Sequence, residues 1–317
     1  MVLGKRNTAV QAGQRPLGSR LKRELRANKY IYLMLAPVVL YYVVFHYIPM
    51  GGSVIAFQNY KPAKGFWGSD WVGLKHFEAF FASPYAWRVI RNTLLLSVYQ
   101  IIFGFPMPIV LALMVNEVRC KPYKKFVQTV SYMPHFISLV VICSLLLSFS
   151  RTDGLFNDIV AFLGGERTNL FAREELFRSL FVGSGIWQTI GWGSIIYLAT
   201  LSTVDPSLHE AAAMDGATRL KRMIHVSFPA LVPVIIVQLI MRLGNILSQG
   251  FEKVMLLYSP LIYETSDVIS TYVYRRGLQD MNYSFGAAVG IFNSVVNLAV
   301  LFWANSLSRR LTRESLW

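Results

Sequence analysis

Residues 92–115 read NTLLLSVYQIIFGFPMPIVLALMV, 24 positions without one charged side chain. As a helix this stretch is about 36 Å long, enough to cross the roughly 30 Å hydrocarbon core of a bilayer. Pro106 and Pro108 lie inside it. In a membrane span they are tolerated, because neighbouring groups re-satisfy the carbonyls that proline frees. Working outward, five more stretches have the same character: roughly 30–57, 127–149, 179–203, 230–249 and 285–307. The first contains Pro37 and Pro49, which predicts a bend or an end near Pro49. The pattern predicts an all-α integral membrane protein, a bundle of six transmembrane helices.

Composition agrees. Hydrophobic residues make up 54% of the 317 and charged residues only 15%, with mean hydropathy +0.42. A soluble domain spends about a quarter of its residues on charge. The net charge of +14 raises the question of nucleic acid, but its distribution answers otherwise. With the N-terminus inside, the cytoplasmic segments carry 18 Lys and Arg and the outer ones 12, while acids run 6 inside and 11 outside. That is the positive-inside bias of a membrane protein, with both termini cytoplasmic and no nucleic-acid partner. The basic head, residues 5–29, leads into an apolar run too long for a signal-peptide core, so it reads as a retained first span. Tryptophans cluster where the lipid interfaces should fall.

Catalytic signatures are missing. Cys120 and Cys143 have neither disulfide nor metal context, and His46, His76, His135, His209 and His225 have no metal-ligand spacing and no nucleophile beside them. No phosphate-binding glycine loop occurs, so any ATP hydrolysis belongs to a partner. The expectation is a non-enzyme without cofactor or metal.

The inner loop between the fourth and fifth spans is the most informative. It reads Asp205-Pro206-Ser207-Leu208-His209-Glu210-Ala211-Ala212-Ala213-Met214-Asp215-Gly216-Ala217. Asp205 caps a helix that Pro206 begins, and Gly216 permits a bend. A second short helix is expected from Ala217 to Ile224, before Pro229. Small residues at Ala211, Ala212 and Gly216 let another backbone approach, which suits a docking knob.

This segment resembles the EAA loop of ABC-importer permeases: Glu210-Ala211-Ala212, Gly216, then Val226-Ser227-Phe228-Pro229 at matching spacing. Val226 and Phe228 depart from the commonest residues but stay apolar. Asp215 and Ala217 match the form typical of sugar importers. The resemblance runs from about 30 to 317 and looks closest, within the maltose-type carbohydrate permeases, to a group serving complex polysaccharides and aldouronate-like oligosaccharides. Arg91-Asn92-Thr93, Asn116-Glu117-Val118, Met133-Pro134-His135-Phe136, Gly250-Phe251-Glu252-Lys253-Val254 and Asp267-Val268-Ile269-Ser270-Thr271-Tyr272 carry that closer match. It implies the type I (MetI-like) importer fold, a second homologous permease, an ABC ATPase dimer, an extracytoplasmic solute-binding protein and an oligosaccharide substrate. It also implies a permease domain over 88–308 with its coupling loop at 204–229, beside a basic arm (1–29), a first span (30–57) and a tail (309–317). Glu210, Ala211, Ala212, Asp215, Gly216, Ala217 and Pro229 would couple to the ATPase.

Polar groups inside spans are expensive and face a cavity or a partner. Gln238, Arg242, Asn245 and Gln249 fall within an arc of about 60° at ~100° per residue. This stripe reads either as a cavity lining for sugar hydroxyls, with Arg242 pairing a uronate carboxylate, or as a seam against the second permease. Ser131, His135 and Ser138, and Asn293 with Asn297, form weaker stripes that interhelical hydrogen bonding explains equally well. A secondary transporter or channel working alone is the competing class. Against it stand the absence of a span acid for proton or sodium coupling and of an inverted repeat.

Overall fold

The computed structural model describes residues 27–247 and 250–312. Residues through Val54 form one unit and those from Ile55 a second, and each is described by itself.

The described residues of the first unit are helical. α1 (Lys29–Tyr42) continues through a wide π turn at Val43–Tyr47 and a helical turn at Ile48–Gly51. The helix therefore runs past Pro49 instead of ending there. The wide turn explains why: Ile48, just before the proline, donates its N–H to Val43 O, five residues back. Proline lacks an N–H and its ring clashes with the carbonyl four residues earlier. One extra residue in the preceding turn moves that carbonyl aside.

In the second unit the chain makes a two-stranded antiparallel ribbon, β1 (Gln58–Asn59) with β2 (Asp70–Trp71), followed by α2 (Lys75–Phe81). Span two is α3 (Ala86–Tyr99), a π turn at Gln100–Gly104 and α4 (Pro106–Asn116). The same device recurs, with Phe105 N–H on Gln100 O before Pro106. The expected span 127–149 is broken. α5 (Lys121–Tyr132) gives way to a 3₁₀ turn at Met133–Phe136, and α6 (Leu139–Ser150) starts afresh after an extended Ile137 and Ser138. Pro134 deprives the junction of a donor. α7 (Leu155–Phe162) and the 29-residue α8 (Glu174–Ser202) follow.

The inner loop is α9 (Pro206–Met214) and α10 (Arg219–Arg222), with a π turn at Met223–Ser227 leading directly into α11 (Phe228–Leu243). α12 (Phe251–Leu257), the short helices α13 (Tyr263–Ser266) and α14 (Ile269–Val273), and the long α15 (Tyr283–Thr312) complete the chain.

Among the described residues, five helical stretches are long and apolar enough to cross a membrane: 29–57, 86–116, 139–162, 219–243 and 283–310. The sixth expected span falls on α8. It has the length but interleaves Ser184, Gln188, Thr189 and Ser194 with its apolar residues, and it is not one of the five.

Three buried apolar clusters hold the second unit. Leu96, Cys143, Phe177, Phe181 and Val254 join α3, α6, α8 and α12. Phe80, Val89, Tyr272, Phe285 and Val289 join α2, α3, α14 and α15. Phe105, Ala112, Tyr197, Leu201 and Leu231 join span two to α8 and α11. α8 approaches its neighbours at backbone distance: a Cβ at Gly191 would lie 2.1 Å from Ser131 O of α5. Small residues at helix crossings are the usual means of tight packing in lipid.

Candidate functional site: an exposed inner knob, a helical rod and two cavities

The inner loop folds as its residues dictate. Asp205 Oδ1 accepts from Ser207 N–H at 2.9 Å, capping α9, and this amide holds the Asp205 carboxyl below its ordinary pKa. α9 closes at Asp215, and Gly216 takes φ +76°, a left-handed conformation that glycine adopts without strain. Thr218 Oγ1 then accepts from Lys221 N–H at 3.4 Å and caps the next helix. Glu210, Ala211, Asp215 and Gly216 are exposed, with Ala212 and Ala217 half-buried. Leu208, Met214, Leu220 and Ile224 are exposed beside them, Met214 at 89%. Exposed apolar side chains gathered on a helix pair in this way are the kind of surface on which another protein can seat.

The second helix differs from expectation. It starts at Arg219, not Ala217, and does not stop before Pro229. Phe228 donates to Met223 O, the third wide turn two residues ahead of a proline, and the helix is continuous over the 25 residues from Arg219 to Leu243. A rod of about 36 Å therefore joins the knob to the far end of α11.

That end carries Arg242. The expected polar stripe of four does not form as one helix face, because α11 stops at Leu243. Gln238 and Arg242 stand on the helix. Asn245 lies in the turn beyond, exposed, with its amide 3.4 Å from Met241 O, and Gln249 lies outside the described residues. Arg242 is thus in the last turn, where the negative end of the helix dipole favours a cation. Among the described residues no carboxylate comes within ion-pair distance of it.

Arg242 lines two cavities. One, of about 410 Å³, is walled by Gln100, Gln188, Thr189 and Lys253 among others, and one of about 380 Å³ by Trp192, Tyr197 and Gln238. His135 lies behind the second: its ring stacks on Trp192 with centroids 4.4 Å apart and planes 6° from parallel. Of the two readings open for Asn297, the interhelical hydrogen bond has a partner here. Its Oδ1 accepts from Leu247 N–H at 3.0 Å, tying the turn after α11 to α15. Asn293, one turn earlier, is half-buried and lines neither cavity.

The sequence clusters at 91–93 and 267–272 meet in one network. Asn92 Nδ2 donates to Glu264 O (2.9 Å) and Asp267 O (3.0 Å), and its Oδ1 accepts from Arg178 at 3.0 Å. Thr93 Oγ1 accepts from Ile269 N–H. Asp267, fully buried, takes both guanidinium arms of Arg275 at 3.1 and 2.7 Å, with Arg88 at 3.3 Å and the Thr271 hydroxyl at 2.9 Å.

A bundle of long apolar helices with an exposed apolar helix pair, linked by one rod to polar cavities, has the build of a membrane permease for a polar solute. The chain belongs to the family described as binding-protein-dependent transport system inner membrane component, which it matches over residues 79–313. It is 45% identical over 299 residues to the polygalacturonan/rhamnogalacturonan transport system permease protein YteP of Bacillus subtilis, covering 94% of this chain and 93% of that one. It is 42% identical over 294 residues to Protein LplB of the same organism, covering 92% of each. A solved bacterial ABC transporter involved in import of the acidic polysaccharide alginate has a chain with TM-score 0.86 and 44% identity, covering 92% of this chain and 99% of that one. The bacterial alginate ABC transporter solved with an alginate pentasaccharide-bound periplasmic protein gives TM-score 0.87 at 43% identity, covering 94% and 100%. The chain is accordingly an inner-membrane ABC-importer permease subunit, not an ATPase.

Proposed function

We propose that this permease forms half of the translocation pathway for an acidic, polysaccharide-derived oligosaccharide. It works with a second homologous permease, an ABC ATPase dimer and an extracytoplasmic solute-binding protein. Both termini lie in the cytoplasm, with the basic arm at 1–29, the first span at 30–57, the permease domain at 88–308 and the tail at 309–317.

The observation that carries this reading is Arg242, a cation without a carboxylate partner among the described residues, on the shared wall of two cavities and at the end of the rod that starts at the knob. Closure of the ATPases would push on Glu210, Ala211, Ala212, Asp215, Gly216 and Ala217. The continuous helix through Pro229 would carry that displacement to Gln238 and Arg242, opening and closing the cavities on alternate sides. Substrate class is supported by the relatives, one named for polygalacturonan and rhamnogalacturonan and one for alginate. Uronate units need a cation, and guanidinium binds carboxylate bidentately.

The test is reconstitution of the complete transporter. Glu210→Ala and Gly216→Val, the latter forcing a branched side chain into positive φ at a cost of about 1–2 kcal/mol, are expected to reduce receptor-stimulated ATP hydrolysis and uptake at least tenfold while the permease pair still assembles. Normal uptake in both variants refutes the coupling role.

A further inference from the structure

Lys253 is the least expected residue of the larger cavity. It begins the second half of the first turn of α12, and only 7% of it is exposed. Its ammonium donates to Phe181 O at 2.9 Å and lies 4.9 Å from the centroid of the Phe181 ring. An ammonium has three N–H donors, so one backbone carbonyl and a ring face leave donors to spare. Among the described residues no carboxylate is within ion-pair distance.

A buried charge is normally paired, because desolvating an ion without compensation costs several kcal/mol. The wall offers no compensation of the right sign. Among the described residues no Asp or Glu lines this cavity, and its second charged residue is Arg242, also a cation. Two cations on the wall of one cavity of about 410 Å³ repel each other unless an anion sits between them. The volume is within the roughly 300–1,000 Å³ range of small-ligand sites. Gln100, Gln188 and Thr189 add groups that bond hydroxyls. Gly185 borders the ammonium, where a Cβ would come to 3.4 Å from Nζ, so the absence of a side chain there leaves Nζ reachable from the cavity.

Resting on the oligosaccharide reading above, we propose that Lys253 and Arg242 together form a carboxylate-binding subsite in the permease. Lys253 is its specificity-determining cation: it selects sugar units bearing a carboxylate over neutral ones at the membrane stage of transport, after the receptor has already chosen. Arg242 is carried by the rod and Lys253 by α12, which packs on α6 and α8 through Val254 and Leu257. Movement of the rod therefore changes the separation of the two cations and hence the hold on the carboxylate, which would release it.

The experiment uses the complete transporter in liposomes with its receptor saturated in turn by an oligogalacturonate and by its fully methyl-esterified, neutral counterpart. Uptake of each is measured for wild type, Lys253→Gln and Lys253→Arg, with thermal unfolding as a check on the fold. Glutamine still donates to Phe181 O but carries no charge; arginine restores the charge. The expected result is at least a tenfold loss of oligogalacturonate uptake in Lys253→Gln, less than a twofold change for the ester, and recovery of the acidic substrate in Lys253→Arg. If wild type takes up the acidic sugar and Lys253→Gln leaves it unchanged, or lowers both substrates equally, the subsite is refuted while the transport reading stands. If wild type shows no uptake of the acidic oligosaccharide while carrying neutral ones, both fall. An unfolding temperature that drops in Lys253→Gln but not Lys253→Arg, with equal loss of both substrates, assigns the ammonium to structure and overturns the proposal.

Discussion

Replacing Asp267 by alanine should loosen the packing of α3 against the segment 264–275, and the size of the effect follows from its contacts. Its side chain has no exposure and neutralises Arg275 and Arg88, whose side chains are 21% and 22% exposed. Removing it leaves two poorly hydrated guanidiniums facing each other and deprives the Thr271 hydroxyl of an acceptor. Breaking a buried ion pair from one side costs about 3–5 kcal/mol. Glu264 still reaches Arg88 at 3.8 Å, which puts the expected loss at the lower end, ~3 kcal/mol. At roughly 2–4 °C per kcal/mol for a unit of this size, the unfolding temperature of the detergent-purified transporter should fall by about 6–12 °C. Tryptophan fluorescence would follow it. Asp267→Asn keeps the shape and one acceptor and should lose less. Pairing Asp267→Leu with Arg275→Met should recover part of the loss, because the penalty comes from the orphaned charge. If Asp267→Ala unfolds within about 2 °C of wild type, this network does not hold these elements together.

Two further outcomes are expected. Pro229→Ala removes the cause of the wide turn at Met223–Ser227; a return to α-helical winding rotates the knob by about 100° relative to α11, so receptor-stimulated ATP hydrolysis should fall several-fold without loss of assembly, and unchanged coupling would count against the rod. His76, whose Nε2 lies 3.1 Å from Gln58 O, is held below its ordinary value of 6.5 by burial in the outer segment. The fold favours the neutral ring, so its stabilisation is complete above pH 6.5 and is lost as pH falls below it toward the lower folded value. Wild type should lose unfolding temperature relative to His76→Gln between pH 7 and pH 5, and parallel profiles would show that the ring does not titrate with unfolding.

The helical spans were legible because lipid imposes one strong rule, about 20 apolar residues per crossing, and the cap at Asp205 and the bend at Gly216 were legible because both are local. What sequence hid was set by tertiary contact. The break at Met133–Phe136 lies inside an apolar window that hydropathy averages over, although Pro134 marks it. α8 carries as many polar groups as a cavity wall requires, which lowers its hydropathy below that of its neighbours. The polar stripe on span five presumed a helix to residue 249, whereas Gly244 and the turn that Asn297 pins end it at Leu243. Lys253 escaped notice as a pathway residue because, about one turn beyond the expected span, it counts as one more basic residue of an expected outer loop. Only the fold brings it beside Arg242. The clusters at 91–93 and 267–272, nearly 180 residues apart, likewise have no visible relation until Asn92 and Thr93 are seen to hold the backbone at Asp267 and Ile269.

The three wide turns that precede Pro49, Pro106 and Pro229 suggest how such a chain can be both continuous and deformable. In each, the residue before the proline donates to the carbonyl five back. The helix keeps its backbone bonds satisfied, as lipid demands, yet contains one turn wound more loosely than its neighbours. Two of these turns border the site: Gln100 and Gly104 line the larger cavity, and Met223–Ser227 lies between the knob and Arg242. A rigid α-helix would transmit a push at the inner face without loss but could not adjust its register against α8. A broken helix would adjust but transmit nothing. A continuous helix with one loose turn, fixed in place by a proline, could do both, and it puts the compliant element on the line between the proposed docking face and the cations that face the cavity.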